Sequence, residues 1–250
     1  MTRILNIFDC DDVKANFLES YLELVNTDFF QRTGKNPDFK VEDVDSWNFE
    51  TKSPIIIQKA ARVGLQPGWF TDYLKRFSHA SFYASLPLIP GAKEAVEHFK
   101  ENNSNVVVVT DRINSLKKED LMSYDELLNQ KKLEHKIQED TFLWYNLRLK
   151  NLFAQREIYF VNGNTKQNVI EGFKPQYDVI ILVEDNYKHA FSHASNSARY
   201  SFLLNRRYNQ GNIVDRLVRI KGYKSDEFDT SSQFQELVER IDDLTKRLTS

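Results

Sequence analysis

Four clusters of polar residues in this chain each follow directly on a short run of Ile, Val, Phe and Leu. They are Asp9-Cys10-Asp11-Asp12-Val13, Thr110-Asp111-Arg112, the stretch from Asn162 to Lys166, and Glu184-Asp185-Asn186. Open α/β sheets bind ligands outside the carboxyl ends of their strands, so residues in these positions are candidates for chemistry. Together they offer carboxylates, a hydroxyl and an amine, a set suited to the hydrolysis of phosphate monoesters. There a carboxylate nucleophile must approach a dianion that repels it, and a lysine with a magnesium ion removes the repulsion. Magnesium takes oxygen ligands in octahedral geometry and keeps several waters, so two or three carboxylates, a backbone carbonyl and a phosphate oxygen complete its shell. Catalysis by such a set is mainly positioning and charge neutralisation. Each residue also has a plain structural reading. An Asp after a buried strand is often a turn or cap residue, and Asp185 could simply cap the helix read at Tyr187 to Ser195. Thr110 could be a strand-end hydroxyl and Lys166 a solvated loop lysine, with Lys174 and Lys188 as alternatives. What favours chemistry is that four elements occur in order at four strand ends.

The strands that must carry these residues read as Ile4 to Phe8, Val106 to Val109, Ile158 to Val161, Val179 to Val183 and Tyr200 to Leu204. Nearly continuous apolar runs of this length suit a parallel sheet covered on both faces. Gly91 to Lys100 and Thr141 to Phe153 have helical apolar periodicity and supply crossovers, Phe142, Tyr145, Leu149 and Leu152 forming the face of the second. The expected class is therefore α/β, doubly wound, with three layers. Between the first two strands lie far more residues than one crossover needs. A long helix is expected over Val13 to Phe30, a loop-rich stretch over Asn36 to Ser53, and two short helices in Pro54 to Phe77, broken at Gly64 to Gly68. This reads as a small helical cap, 14–85, inserted after the first strand, with 1–13 and 86–225 forming the core. Leu86-Pro87-Leu88-Ile89-Pro90-Gly91 marks the return to the core. A charged insertion, 115–139, reads as a solvated helical face. From Ser232 a capping-box spacing with Gln235 opens a C-terminal helix, 226–250, whose apolar residues Phe234, Leu237, Ile241 and Leu244 need a surface. Packing on its own core is the expectation, with a homodimer as the alternative.

In 250 residues, 34 Lys and Arg nearly balance 36 Asp and Glu, a net charge of -2. The whole-molecule field gives no strong attraction for nucleic acid, and any nucleotide contact must be local. No apolar run reaches the length of a membrane span, and Asp9 interrupts the first strand where a secretory signal would continue, so a cytoplasmic location is expected. Cys10 is the single cysteine, which excludes an internal disulfide and a cysteine-based zinc site.

Strand-DxDxV, strand-Thr, Lys and strand-acidic pair, in that order, resemble the haloacid-dehalogenase superfamily over nearly the whole chain. Phe8-Asp9-Cys10-Asp11-Asp12-Val13 with Phe17, followed by Leu86 to Ala92, resembles its deoxyribonucleotidase branch. The resemblance implies a nucleophilic Asp9 that forms an aspartyl-phosphate. It implies that Asp11 protonates the leaving oxygen, later activates water, and turns its backbone carbonyl to the metal. Thr110 and Lys166 would hold phosphate oxygens; Asp9, Asp11 and Asp185 would hold Mg2+, with Glu184 a weak or water-mediated ligand. The implied substrate is a small phosphomonoester, specifically a nucleoside monophosphate, with another small ester, a nucleic-acid end or a non-catalytic binding role as alternatives. No GxxxxGK[ST] loop accompanies the site. Base contacts are expected from Phe17, Trp47 and Trp69, and Arg112 is expected to reach a second phosphate or the leaving group, or else to be a surface arginine. Three departures stand out: Asp12 replaces the branch's usual glycine, Glu184 replaces an aspartate, and the stretch between Thr110 and Lys166 is long.

Overall fold

The computed structural model describes residues 2–102, 104–112, 124–150, 152–161, 165–196, 199–222 and 230–250. Six parallel strands form one sheet: β1 (Ile4–Phe8), β2 (Asn105–Thr110), β3 (Ile158–Phe160), β4 (Val179–Glu184), β5 (Arg199–Leu204) and β6 (Leu217–Ile220), in the spatial order β3-β2-β1-β4-β5-β6. The five expected strands are all present. The sixth, Leu217-Val218-Arg219-Ile220, escaped the pattern because it is a four-residue edge strand with a charged residue inside it. Alternate residues of β1 enter different layers, Leu5 and Ile7 packing with Val109, Ile180 and Leu182 on one face, and Phe8 with Val108, Ile181 and Val183 on the other. Burial on both faces is why these strands are apolar throughout.

Between β1 and β2 run α1 (Phe17–Thr33), α2 (Phe49–Lys52), α3 (Pro54–Val63), α4 (Trp69–His79), α5 (Phe82–Ser85) and α6 (Ala92–Glu101), the last flanking the sheet. Helix α3 opens on Pro54 and ends at Gly64 in the left-handed conformation, as its terminal residues dictate. Helix α1 begins four residues later than the sequence suggests. Residues 12–16 are instead sewn into a turn: the N–H groups of Lys14 and Ala15 both bond the Cys10 carbonyl, and Asn16 N–H bonds the Pro87 carbonyl. Asp12 sits at φ +50° and its Oδ1 accepts the N–H groups of Phe17 and Leu18 at 3.1 and 3.0 Å. A glycine would adopt that backbone without cost, but only an Asp or Asn both tolerates it and satisfies the helix start.

The charged stretch and the expected crossover helix are one element, α7 (Tyr124–Arg148); residues 113–123 lie outside those described. Leu133, Ile137, Thr141, Trp144 and Tyr145 recur at helical spacing along it and are all buried, so a single stripe runs through both stretches while charges such as His135 and Glu139 face solvent. Trp144 Nε1–H donates to the Leu86 carbonyl at 2.8 Å, tying α7 to the chain's return into the core. Short helix α8 (Lys166–Glu171) follows β3, and α9 (Tyr187–Ala194) follows β4. Helix α10 (Thr230–Thr249) lays Phe234, Leu237, Ile241 and Leu244 against its own domain beside α6, with His98 bonded to Asp242 at 2.9 Å. None of the described helices is long and apolar enough to cross a membrane.

Gly91 enters α6 at φ +87°, and a Cβ there would lie 3.0 Å from Phe234 Cβ and 3.1 Å from Ser231 Cα. Gly91→Ala is expected to lower unfolding stability by roughly 1–3 kcal/mol through combined backbone strain and displacement of α10. Urea denaturation checks this, and an unchanged midpoint would contradict the docking of α10 described above.

Candidate active site

The register of the central strands sets which residues meet. Phe8 pairs with Val108 of β2 and Val183 of β4, so Asp9 and Glu184, one residue beyond, and Thr110 and Asp185, two beyond, emerge at one edge of the sheet. Lys166, the first residue of α8, projects its ammonium between them, 2.9 Å from Asp9 Oδ2 and 2.8 Å from Glu184 Oε2. One oxygen from each of Asp9, Glu184 and Asp185 lies within 4.8 Å of the others, and all three residues are buried. Further donors fix them. Cys10 N–H donates to Asp9 Oδ1 at 2.8 Å, Asn186 N–H to Glu184 Oε1 at 3.1 Å, and Tyr208 O–H to Asp185 Oδ2 at 2.8 Å.

Crowding of like charges in a dry setting shows in their protonation. Burial and the neighbouring Glu184 charge push the Asp9 carboxyl up to about 8, with Lys166 opposing. Burial, then Glu184 and Asp12, raise Asp185 well above the usual carboxylate range. Burial would also raise Glu184, yet Lys166 and His189 hold it below that range. Lys166, which burial would neutralise, is kept charged by Asp9 and Glu184. The two members of the Asp9–Glu184 pair are thus displaced in opposite directions, because Glu184 has the better cationic company. Two carboxyls that retain protons for want of positive charge, Asp9 and Asp185, together with the ionised Glu184, form a fitting nest for a small, hard divalent cation. Thr110 Oγ1, also buried, has no hydrogen-bond partner among the described residues.

Asp11 stands apart from that cluster. Its carboxylate accepts Arg112 Nε–H at 2.9 and 3.1 Å and Nη2–H at 2.6 Å, a two-pronged grip. Arg112 is itself buried, donates from Nη1 to Thr141 Oγ1 at 3.0 Å, and lies over the Tyr83 ring at 4.7 Å. The alternative of a surface arginine is therefore corrected: Arg112 is buried on the cavity wall, gripped by a carboxylate two residues after Asp9.

These groups open into a cavity of about 530 Å³ whose other wall comes from the helices between β1 and β2. Phe17 and Trp47 line it, as do Phe49, Phe70 and Tyr83. Trp69 does not. It stacks on Phe39 at 4.9 Å and packs beside Tyr21 and Phe49, inside the helical layer; burying so large a ring there is the usual use of tryptophan. Trp47 is 45% exposed and meets Tyr208 at 5.4 Å, bridging the helical insertion and the end of β5.

Several residues at the site were not singled out from sequence. His189, one helical turn beyond Asp185, lies 3.7 Å from both Glu184 and Asp111; its position on the first turn of α9 is the signal that would have found it. Tyr208 and Asn209 follow β5, whose tip, Asn205-Arg206-Arg207, carries no carboxylate to mark it, and Asn209 Nδ2 donates to the Asp185 carbonyl at 2.8 Å. Lys14, fully buried among Phe8, Tyr145 and Phe153, donates to the Asp9 carbonyl, and burial lowers it to about 8. Asn162 to Asn164 lie outside the described residues.

No protein-family model and no curated protein matches the chain. Among solved structures, a protein provisionally named phosphoglycolate phosphatase from Lactobacillus delbrueckii subsp. bulgaricus is 14% identical, covering 96% of this chain and 99% of its own, with a TM-score of 0.57. A provisionally named beta-phosphoglucomutase from Thermotoga maritima is 14% identical over 96% of this chain and 100% of its own, with a TM-score of 0.48. The first likeness is one of fold, and the six-stranded parallel sheet flanked by helices is the haloacid-dehalogenase-like fold.

Replacing Lys166 by Met removes the cation shared by Asp9 and Glu184. Loss of one partner from a buried pair is expected to cost on the order of 3–5 kcal/mol near neutral pH. Without that cation both folded pKa values would rise, that of Asp9 further above its unfolded value and that of Glu184 up from its depressed one, so the folded variant binds more protons than wild type and its deficit shrinks as pH falls. Denaturation at pH 8 and pH 5 checks both statements; a gap to wild type that fails to narrow at pH 5 would contradict the pairing.

Proposed function

We propose that this chain is a metal-dependent phosphomonoester hydrolase of the haloacid-dehalogenase superfamily. The observation that carries the reading is the meeting of Asp9, Glu184 and Asp185, bridged from behind by Lys166, with a Thr110 hydroxyl that has no partner among the described residues, at one end of a cavity. Magnesium, held by Asp9 and Asp185 with Glu184 and the Asp11 carbonyl, would neutralise phosphoryl charge.

In this reading an Asp9 carboxylate oxygen bonds to phosphorus while the bond to the ester oxygen breaks, and Asp11 gives that oxygen its proton. Water then displaces the phosphoryl group from Asp9, its proton passing to Asp11, which returns the enzyme to its starting state. Lys166 and Thr110 donate to phosphoryl oxygens, and Lys166 also keeps the Asp9 carboxylate from repelling them. The Asp9 side chain is presented to the substrate by fixed neighbours, the Cys10 N–H and the Lys14 bond to its carbonyl, so little reorganisation accompanies attack. Proton transfer by Asp11 requires its Oδ2 to exchange the Arg112 Nε–H for the ester oxygen, while Oδ1 keeps the grip of Nε and Nη2.

The substrate we favour is a nucleoside 5'-monophosphate, deoxyribonucleotides included. Phe17 and Trp47 line the cavity, and stacking of a base on an aromatic face contributes on the order of 1–3 kcal/mol. A second reading, another small phosphomonoester, is favoured by the burial of Trp69 in the helical layer, which leaves fewer aromatic faces for a base than expected.

Asp9→Asn is expected to reduce phosphate release from a nucleoside monophosphate by on the order of 10³-fold or more, with chelation of magnesium having a similar effect on the wild type. Equal rates in the two proteins would remove Asp9 from the role of nucleophile. Because burial holds protons on Asp9 and Asp185, magnesium must displace them, so its apparent affinity is expected to strengthen from pH 6 to pH 8, by up to about tenfold per pH unit for each proton released. Calorimetric titration in two buffers of different ionisation enthalpy reads the proton count, and binding without proton release would contradict the site.

A further inference from the structure

The phosphate end and the far wall of the cavity differ in how charge is arranged. Near the phosphate position the full cations among the described residues are already committed. Lys166 serves Asp9 and Glu184 together, and Arg112 grips Asp11 and Thr141. His189 stands between Glu184 and Asp111, so its charge when protonated is matched there too. The wall contributed by the helices between β1 and β2 is largely apolar, with Phe17, Leu18, Phe49, Phe70, Leu74 and Tyr83. Its one formal charge among the described residues is Glu50, half-buried, whose Oε1 accepts Gly68 N–H at 2.6 Å and Phe70 N–H at 3.4 Å. Neither Lys nor Arg contributes to that wall among the described residues.

We infer that the cavity selects monoesters whose leaving group is uncharged and presents an apolar or flat face, and that it rejects esters bearing a second anion such as a carboxylate or another phosphate. The inference deepens the phosphomonoesterase reading and rests on it for where the phosphoryl group lies. A second anion entering the cavity would shed hydration, find no uncommitted cation among the described residues, and share the space with Glu50. Drawing Arg112 to it would strand the Asp11 carboxylate without its partner. A neutral group meets none of these penalties and gains the apolar contacts.

The test uses two esters of near-equal shape, para-carbamoylphenyl phosphate and para-carboxyphenyl phosphate, with the full-length chain in magnesium buffer at low ionic strength and neutral pH. Binding to Asp9→Asn, read by calorimetry, isolates recognition from turnover. The carbamoyl ester is expected to bind on the order of tenfold more tightly, with the gap shrinking as salt is added. Thr51→Lys, an exposed position on the apolar wall, is expected to close most of the gap in the same background. Equal affinity, tighter binding of the carboxylate, binding of neither ester, or a ratio unmoved by Thr51→Lys would each overturn the inference. Hydrolysis of the carbamoyl ester by the wild type is measured separately: selective binding without turnover would keep the charge selectivity and remove the catalytic reading.

Discussion

Buried negative charge is the constraint around which this molecule is arranged. Asp9, Glu184 and Asp185 bring carboxylate oxygens within 4.8 Å of one another in a setting that water scarcely reaches. At such separations repulsion is several-fold stronger than at the surface, and a hydrophobic replacement would stabilise the fold better. The parallel sheet nevertheless forces the arrangement, because β1 and β4 run in register and end together. One lysine offsets part of it, retained protons offset more, and a divalent cation is the remaining partner such a nest requires.

The second cation, Arg112, links the site to the rest of the chain. It joins Asp11 on the loop after β1 to Thr141 of α7 and to the Tyr83 ring of α5. Helix α7 packs on α4 and α5, so the Asp11 carboxylate, the long helix and the wall of the cavity share one anchor. Loop residues 12–16, bonded to Pro87 and Ile89, complete the same junction, where the chain leaves the sheet and returns to it. Asp12 serves there as a structural residue, at φ +50° with both carboxylate oxygens engaged by backbone N–H groups and Tyr208.

What could be read from the residues followed from how strongly burial constrains them. Runs such as Val179 to Val183 are apolar throughout because both faces are covered, so five strands were legible, and with them the residues at the tips of β1, β2 and β4. The edge strand at Leu217 was not, since Arg219 interrupts it and half of it faces outward. Helix boundaries at Phe17 and Tyr124 depend on a carboxylate reaching past four residues and on a stripe starting at Leu133, neither of which local periodicity reveals. Side-chain partnerships were the least legible of all. Arg112 and Asp11 are 101 residues apart, and nothing in their local sequence announces the pair. Trp69 likewise looked free to meet a ligand until Phe39 was found stacked against it.

The most direct test of the central claim is a single-turnover reaction with a phosphomonoester, quenched in acid within milliseconds and followed by peptide mass spectrometry. The account predicts a transient phosphoryl group on the peptide that carries Asp9, on that side chain alone, which appears before free phosphate and decays as phosphate accumulates. Phosphoryl transfer to another residue, or phosphate release from a protein that stays unmodified throughout the turnover, would contradict it.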